Sequence, residues 1–548
     1  MSVPKYITSR FGSTHAAIPV NRLHLSTLGH KYTHVLPELC GRHGNDNGGS
    51  VNYGALLLLE RYKLMSQIGI RTAKRPDYDQ VLTDIADYVC NREIDSDEAY
   101  ATARYCLMDS LACAMLAMKF PGCTRLLGPM VPGAEMQGGA RVPGTAYQLD
   151  PAQAAFNLGV LIRYLDFNDT WLAAEWGHPS DNLGAILTVA DYVSRRQLAE
   201  GKAPLTMKDV LTAMIQAHEI QGILALENSF NKVGLDHVLL VRVASTAVVT
   251  RMLGGSQAQV TDALSNAWID GGALRTYRHA PNTGSRKSWA AGDACRRAVT
   301  LALMVLRGEM GYPSALTAEV WGFYDVLFKG REFQFQRGYG SYVMENILFK
   351  ISYPAEFHAQ TAVECAMQLH PEVKDRLDDI ERLTIETQEA GARIIDKTGP
   401  LDNYADRDHC IQYMVAVPLI FGELTADSYS DEVAADPRID ALREKMNVRE
   451  NVAFTADYFD PEKRGIGNAV QVFFKDGSST DRIEISYPIG HRRRREEGIP
   501  VLVSKFEKAI GDYYGPEQAE KIESVCREQQ ALESAPVTDF MDEWLKAC

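Results

Sequence analysis

A strongly polar segment between two apolar helical patterns is the feature that most constrains how this chain folds. Before it, apolar side chains recur at a spacing near 3.6 residues, which predicts a buried helix. Pro179 interrupts that pattern, and a second apolar helical pattern follows. The apolar positions are Ala154, Leu158, Leu161 and Leu165 before the segment, and Leu183, Ile186, Leu187, Ala190 and Val193 after it. The chain must therefore bury two helices and hold a polar connection between them.

This connection carries more polar groups than a plain loop needs. Arg163, Asp166 and Thr170 are expected on one face at the end of the first helix, and Ser180 or Asp181 is expected to cap the second. The other polar and aromatic groups are Asp169, Trp171, Glu175, Trp176 and His178. Because binding and catalytic groups concentrate on loops held by a rigid scaffold, the segment is the first candidate for a functional site.

Composition narrows the classes of protein. The chain has 548 residues, 46% of them hydrophobic, which is enough for roughly two to four domains. Its formal net charge of −14 argues against nucleic acid or an anionic membrane as a partner, and no apolar run approaches the ~18 residues of a membrane span. The ten cysteines include no Cys-x-x-Cys pair, which favours a reducing compartment and offers no thiolate spacing for an iron–sulfur cluster.

Residues 1–76 differ in charge from the rest of the chain. They contain ten Lys or Arg but only three acids, Glu38, Asp46 and Glu60. A basic, acid-poor segment with Ser and Thr is typical of a mitochondrial transit peptide, so we predict an N-terminal extension that directs the protein to the mitochondrial matrix. The alternative is a leader without a targeting role.

Helical patterns dominate from Asp79 onward and give way to alternation after residue 345. We therefore predict a mainly α fold with an α+β lid. A large helical domain would comprise residues 77–345 and 491–548, and the smaller α+β domain, residues 346–490, would be inserted in it. The supporting signals are capping boxes at Thr206/Asp209 and Ser256/Gln259, alternation at Leu383 and Ile385, a β-rich run from Ala469 to Phe474, a turn at Asp476–Gly477, and a helix from Ile411 to Val417 that Pro418 ends or kinks.

A basic loop stands out in this acidic chain. No carboxylate occurs between Asp270 and Asp293, and a helical pattern begins at Ala290. Lys287 therefore lies at a helix N-terminus, where the positive end of the dipole favours carboxylates and lowers a lysine pKa. The basic residues are Arg275, Arg278, His279, Arg286 and Lys287. The loop suits a polycarboxylate ligand; the alternatives are a solvated loop or a dimer contact.

Several of these segments together resemble the MmgE/PrpD family, over roughly Asp79 to the C-terminus. The matching segments are Asp166-Phe-Asn-Asp-Thr170, His178-Pro-Ser-Asp-Asn182, Leu226-Glu-Asn-Ser-Phe-Asn231, Leu274-Arg-Thr-Tyr-Arg-His-Ala-Pro-Asn282 and Asp406-Arg-Asp-His-Cys-Ile-Gln-Tyr413. The resemblance implies a large helical domain completed by the C-terminus and a smaller α+β lid. It also implies elimination of water from 2-methylcitrate to give 2-methyl-cis-aconitate, with citrate as a further substrate and without a cofactor.

The resemblance also implies that His178 and Lys287 share one active site. We expect His178 to act as base or acid, with Lys287 and His237 as partners, while Asp166 and Thr170 orient the site. Removing a proton next to a carboxylate and expelling a hydroxyl as water needs a base, a proton donor and cationic clamps. The substrate-binding candidates are Arg275, Arg278, Lys350, His358 and Tyr413.

Some assignments stay open at this stage. Either Glu356 or His358 points into the pocket, and Tyr413 is as well explained by packing as by function. His218 shares an apolar helix face and is expected to be a packed histidine.

Three other functions remain open. A cis-aconitate decarboxylase that forms itaconate would share the fold and much of the pocket. A metal-dependent lyase would use Asp166, Asp169, His178 and Asp181 as ligands, although the expected site contains no metal. An inert helical scaffold is the non-enzymatic alternative. We expect a small tricarboxylate as the ligand, no nucleic-acid or membrane partner, and a homodimer.

Overall fold

The computed structural model describes residues 73–546, so the predicted transit peptide lies almost wholly outside the described residues. Residues 80–345 form helices joined by loops and two short hairpins. The helices are α1 (Gln80–Asn91), α2 (Asp97–Ala117), α3 (Pro121–Thr124), α4 (Pro151–Arg163), α5 (Leu183–Ala199), α6 (Met207–Glu227), α7 (Val238–Met252), α8 (Gln257–Ile269), α9 (Ala290–Leu306), α10 (Phe323–Val326) and α11 (Tyr342–Glu345). The hairpins pair β1 (Ala140–Arg141) with β2 (Gln148–Leu149) and β3 (Trp171–Leu172) with β4 (Trp176–Gly177).

Residues 357–485 combine further helices with a four-stranded sheet. The helices are α12 (Gln360–Val373), α13 (Glu389–Ile395), α14 (Tyr404–Arg407), α15 (Ile411–Phe421), α16 (Asp431–Ala434), α17 (Pro437–Arg443) and α18 (Val452–Phe459). The strands are β5 (Ile380–Thr387), β6 (Met446–Glu450), β7 (Asn468–Phe474) and β8 (Ile483–Ile485), in the order β6-β5-β7-β8. β5 pairs with β6 in parallel and with β7 antiparallel. The chain ends with α19 (Arg495–Tyr513), α20 (Pro516–Arg527), α21 (Gln529–Ser534) and α22 (Val537–Glu543).

The apolar side chains form two large clusters. One is built from residues 82–351 together with residues 502–544, so the C-terminal helices complete it. The other comprises residues 355–474, where α12 packs against β7 and β8 of the sheet and α15 packs against α12. The described chain is thus mainly helical, with a small α+β part. No helix among residues 73–546 has the length and apolarity to cross a membrane.

Three glycines let the central helices meet backbone to backbone. A Cβ added to Gly159 of α4 would lie 2.7 Å from the Cα of Gly292 in α9, and one added to Gly184 of α5 would lie 2.8 Å from the Cα of Gly159. Real Cβ atoms do not approach backbone so closely, so larger residues would force the helices apart. This crossing holds the C-terminal half of α4 against the first turns of α5 and α9.

Local predictions and structure agree in most places. Both predicted capping boxes are present, and the predicted β-rich run forms β7. The helix containing Pro418 does not end there: α15 runs on to Phe421 and stops at Gly422, whose φ of 74° closes the helix. The helix that follows the polar segment, α5, begins without the predicted cap from Ser180 or Asp181, because a 3-10 turn over Pro179–Asn182 leads directly into it.

Candidate active site

A small buried cavity is lined by residues from two parts of the chain, 163–278 and 350–409. Its volume is about 20 Å³, close to the space that one water molecule occupies. The polar segment after α4 forms one wall and residues from 350 onward form another. The lining residues are Arg163, Asp166, Thr170, Leu172, Trp176, His178, His237, Arg275, Arg278, Lys350, Glu356, Phe357, Ile394 and His409.

Backbone pairing brings Lys350 to the polar segment. Thr170 N–H donates to Leu348 O at 2.7 Å, and Leu348 N–H donates to Thr170 O at 3.0 Å. Two residues further on, Lys350 Nζ donates to the main-chain oxygen of Asp166 at 2.9 Å and to its carboxylate. The pairing thus places a buried lysine from the second half of the chain against a motif residue from the first half.

Asp166 is the centre of charge in this site. Its backbone has a φ of 51°, a conformation that is uncommon for a residue other than glycine and is often found at functional sites. Its Oδ1 also pairs with Arg163 Nη1 at 2.6 Å. Burial would raise the pKa of Asp166, but Arg163 and Lys350 hold that pKa well below its usual range. Asp166 is therefore a carboxylate at neutral pH.

Hydrogen bonds determine the tautomer of His178. Arg163 Nη2 lies 2.9 Å from His178 Nε2, and because a guanidinium only donates, Nε2 must accept. On the other side of the ring, Nδ1 lies 2.7 Å from the main-chain oxygen of Asp169, so Nδ1 carries the proton. Burial and the Arg163 guanidinium hold the pKa of His178 well below its usual range. The ring is thus neutral, with a lone pair on Nε2 near Asp166.

His237 has unused hydrogen-bonding capacity. It precedes α7, is buried, and faces His178 with ring centroids 5.4 Å apart. Neither of its ring nitrogens has a hydrogen-bond partner among the described residues. Burial and the nearby arginines Arg278 and Arg275 hold its pKa well below the usual range. A buried, unpaired imidazole in a cavity lining is suited to contact a ligand.

The two basic-loop arginines that line the cavity, Arg275 and Arg278, differ in how many of their N–H donors are used by other protein groups. Arg278 pairs with the buried carboxylate of Asp236 through Nε and Nη2. Arg275 lies 3.7 Å from the same carboxylate and 4.0 Å from Glu175, and its Nε and Nη1 donate to no described atom. Its guanidinium also lies 5.3 Å from the ring centroid of Trp176. Arg275 is therefore the cation with donors to spare for a carboxylate ligand.

Lys287 does not line the cavity but lies behind the side chain of His409, which does. Its Nζ donates to Asp408 Oδ1 at 2.5 Å and lies 3.0 Å from Nδ1 of His409, whose Nε2 is 3.8 Å from Asp166. Burial lowers the pKa of Lys287, as the sequence predicted, although the main cause is burial rather than a helix dipole. A 3-10 turn, Ser285–Ser288, separates Lys287 from the start of α9. Lys287 thus reaches the cavity through His409.

Glu356, rather than His358, lines the cavity. His358 lies behind it, where its Nδ1 donates to Glu356 Oε1 at 2.8 Å. Burial would raise the pKa of Glu356, but His358 lowers it to about 2. Among the described residues, Tyr413 lies away from the cavity: it packs in the second hydrophobic cluster and its hydroxyl donates to Ser428 O at 2.7 Å. The structure therefore does not bring His358 or Tyr413 to the cavity surface.

The four residues considered as metal ligands do not converge. In the described part of the chain, the groups with metal-ligand spacing are Cys106, Asp169 and His218, and Asp166, Asp408 and His409. Asp169 accepts from Ser180 and faces His218 at 2.9 Å, while Asp181 accepts from Asn168. His218 is the packed, hydrogen-bonded residue that its helix face predicted, with Nδ1 2.8 Å from Met214 O.

Sequence reasoning missed several cavity residues. His409 lies in one of the segments that resemble the family, but it was assigned no role there. Arg163 was placed on the correct helix face, also without a role. The apolar residues Leu172, Phe357 and Ile394 gave no signal of their own. The remaining predicted residues that line the cavity are Asp166, Thr170, His178, His237, Arg275, Arg278 and Lys350.

Comparison with known proteins identifies the family to which the chain belongs. The MmgE/PrpD N-terminal domain model matches residues 83–336, and the MmgE/PrpD C-terminal domain model matches residues 353–530. The chain belongs to the MmgE/PrpD family. It is 63% identical over 471 residues to the 2-methylcitrate dehydratase of Escherichia coli (strain K12), which covers 85% of this chain and 98% of that protein. It is 60% identical over 477 residues to "2-methylcitrate dehydratase, mitochondrial" of Yarrowia lipolytica, covering 86% and 91%.

Proposed function

We propose that this protein is a hydro-lyase that eliminates water from 2-methylcitrate to give 2-methyl-cis-aconitate, the reaction of the methylcitrate cycle in propionate catabolism. The main support is the 63% identity to the 2-methylcitrate dehydratase of Escherichia coli (strain K12), which extends over 98% of that enzyme. The cavity chemistry supports it. Four cationic side chains, Arg163, Arg275, Arg278 and Lys350, line a cavity in a chain whose net charge is −14, and the substrate has three carboxylates.

In the proposed reaction, neutral His178 removes the proton next to a carboxylate. Its Nδ1–H stays bound to Asp169 O, so Nε2 is the only ring position that can receive a proton. Arg163, which now donates to Nε2, must turn toward a substrate carboxylate first. Asp166 would then stabilise the imidazolium that forms, in the role of a carboxylate that orients a catalytic histidine.

The hydroxyl leaves as water with a proton from His409. We propose that His409 Nε2–H gives this proton while Lys287, whose Nζ is 3.0 Å away, delivers one to Nδ1; Asp408 Oδ1, 2.8 Å from Nδ1, then accepts the new Nδ1–H. Burial and Lys287 lower the pKa of His409, so its ring is neutral at neutral pH, and a neutral imidazole N–H is by itself a weak acid. The lysine ammonium supplies the missing proton, and the C–O bond breaks as the C–H electrons form the double bond.

An apolar wall distinguishes the proposed substrate from citrate. Leu172, Trp176 and Phe357 line the cavity and belong to one hydrophobic cluster, against which Ile394 packs. We propose that the extra methyl group of 2-methylcitrate lies against this wall, where burial of one methyl is worth about 0.8 kcal/mol.

One assay tests the reaction. Purified protein is incubated separately with 2-methylcitrate, citrate and cis-aconitate, while ultraviolet absorbance reports conjugated unsaturation and a CO₂ trap reports decarboxylation. New absorbance from 2-methylcitrate without CO₂ is expected. Release of CO₂ from cis-aconitate would instead identify a decarboxylase.

We further propose that the α+β part, residues 346–490, acts as a lid on a helical domain of residues 77–345 and 491–548. A cavity of about 20 Å³ admits no tricarboxylate, so the walls must separate before substrate enters. Hydrogen exchange with bound tricarballylate should show protection in both residues 346–490 and the loop from Arg275 to Lys287. Protection of one wall alone would contradict a lid.

The remaining proposals concern assembly and location. Large apolar side chains stand exposed at Trp321 (72%), Leu274 (65%) and Val326 (58%), which supports a homodimer and is tested by sedimentation equilibrium. The basic composition of residues 1–76 and the mitochondrial name of the Yarrowia lipolytica relative support import into the mitochondrial matrix. Fusing residues 1–76 to a fluorescent protein tests import, and cytosolic fluorescence would refute it.

A further inference from the structure

A buried lysine outside the cavity binds both segments that form the charged centre. Lys505 belongs to α19, and its side chain is 7% exposed. Its Nζ donates to Asp109 Oδ1 at 2.8 Å, to Phe167 O at 3.0 Å and to Lys350 O at 3.1 Å. Cys113 Sγ also lies 3.4 Å from Nζ, so the three N–H donors of the ammonium face four acceptors, of which the three oxygens are the closer.

The two main-chain acceptors, Phe167 O and Lys350 O, belong to the two segments that meet at Asp166. Phe167 directly follows Asp166, whose φ of 51° needs its surroundings to hold it. The other carbonyl belongs to Lys350, the residue whose side chain binds Asp166. One ammonium therefore ties together the two main-chain segments whose side chains form the central ion pair.

The surroundings of Lys505 keep its charge in place. The ring face of Phe167 lies 3.4 Å from Nζ, and the Asp109 carboxylate raises the pKa of the lysine against the opposing effect of burial. Burial in turn raises the pKa of Asp109 to about 6 even beside Lys505. Asp109 and Lys505 thus form a buried pair in which the lysine, not the carboxylate, makes the contacts to the site.

We propose that Lys505 is a positioning residue, which holds the Asp166–Lys350 pair in register from α19, the first of the four helices that end the chain. The proposal rests on the proposed function only where activity is the readout. Its structural consequence is independent of the reaction: without Lys505, the pairing between Thr170 and Leu348 should loosen, because both paired segments lose a shared anchor.

The test compares Lys505→Met with Phe506→Leu, a core change in the same helix at a buried ring that packs near Trp544. Hydrogen exchange of peptides covering residues 166–171 and 347–351 should be at least about tenfold faster in Lys505→Met than in Phe506→Leu at equal loss of Tm. With an active wild type, kcat should fall at least about tenfold, since small misplacements of catalytic groups have effects of that size.

Two further outcomes are informative. If Lys505→Met does not fold, Asp109→Asn/Lys505→Met removes the unpaired buried charge and is measured in the same way. Exchange at both segments equal to that of Phe506→Leu would overturn the proposal. A wild type that does not dehydrate 2-methylcitrate would refute the proposed function while leaving the exchange comparison decisive for Lys505.

Discussion

Lys287→Arg separates two roles for the buried lysine behind the cavity. As a carboxylate clamp, Lys287 would need only its charge, which arginine keeps. As the source of a proton for His409, it must release that proton, and a guanidinium does not do so in a protein. The lysine Nζ lies 3.0 Å from His409 Nδ1 and does not line the cavity, so the geometry favours the second role.

The expected magnitude follows from removal of a proton donor. We expect kcat of Lys287→Arg to fall at least ~10²-fold, the usual scale for loss of a general acid or base. The wild-type kcat should also fall at alkaline pH, because Lys287 acts only as the ammonium form. This loss should occur below the ordinary lysine pKa of about 10.4, since burial lowers the pKa of Lys287.

The assay is the absorbance of the unsaturated product, measured from neutral to alkaline pH, with circular dichroism and thermal melts to show that the variant is folded. Lys287→Arg should lack the alkaline limb that depends on lysine. A folded variant with near-wild-type kcat and a raised KM would refute proton transfer from Lys287 to His409 and would show that Lys287 contributes only its charge to substrate binding.

Three further predictions follow from the site and the helix crossing. His178→Gln should lose ~10²-fold or more in kcat with little change in Tm, measured by the same assay. Gly159→Ala should destabilise the fold by about 2 kcal/mol or more in a denaturant titration, because its Cβ would meet Gly292, whereas Gly511→Ala, in open space on a helix, should be neutral or stabilising. Ile394→Thr should reduce the ratio of kcat/KM for 2-methylcitrate over citrate by up to about fourfold, the factor that corresponds to about 0.8 kcal/mol for one buried methyl, and an unchanged ratio would argue against the apolar wall.

Local physics explains what could be predicted from the sequence. Helices with a regular apolar face or a capping box, such as α6 with its Thr206/Asp209 box, depend on residues a few positions apart. The hairpin of β3 and β4 was missed because two-residue strands have no periodicity to detect. β6 was missed for a different reason: its parallel pairing with β5 depends on a crossover of more than fifty residues.

The candidate site was predictable where one segment supplied several polar groups, as around His178. His409 was not, because its place depends on the contact between the loop before α15 and Lys287, over a hundred residues away in sequence. Tyr413 shows the reverse case, a residue that was predicted to bind substrate but does not line the cavity. It lies in the same family-like segment as His409, four residues further along, and its hydroxyl donates to Ser428 O. Sequence proximity to a functional residue therefore does not fix the direction of a side chain.

The contacts around Asp166 explain how distant parts of the chain meet at one site. A carboxylate buried alone would become protonated, so Asp166 stays charged only while Arg163 and Lys350 remain beside it. Arg163 comes from the end of α4, but Lys350 lies 184 residues after Asp166 in the chain, and its main-chain oxygen is bound by Lys505 of α19. The low pKa of His178, which keeps its Nε2 free of a proton, depends in part on those same cations. The electrostatic state of the proposed base is therefore a property of the assembled fold, and segments remote in sequence contribute to it as directly as the motif that carries the histidine.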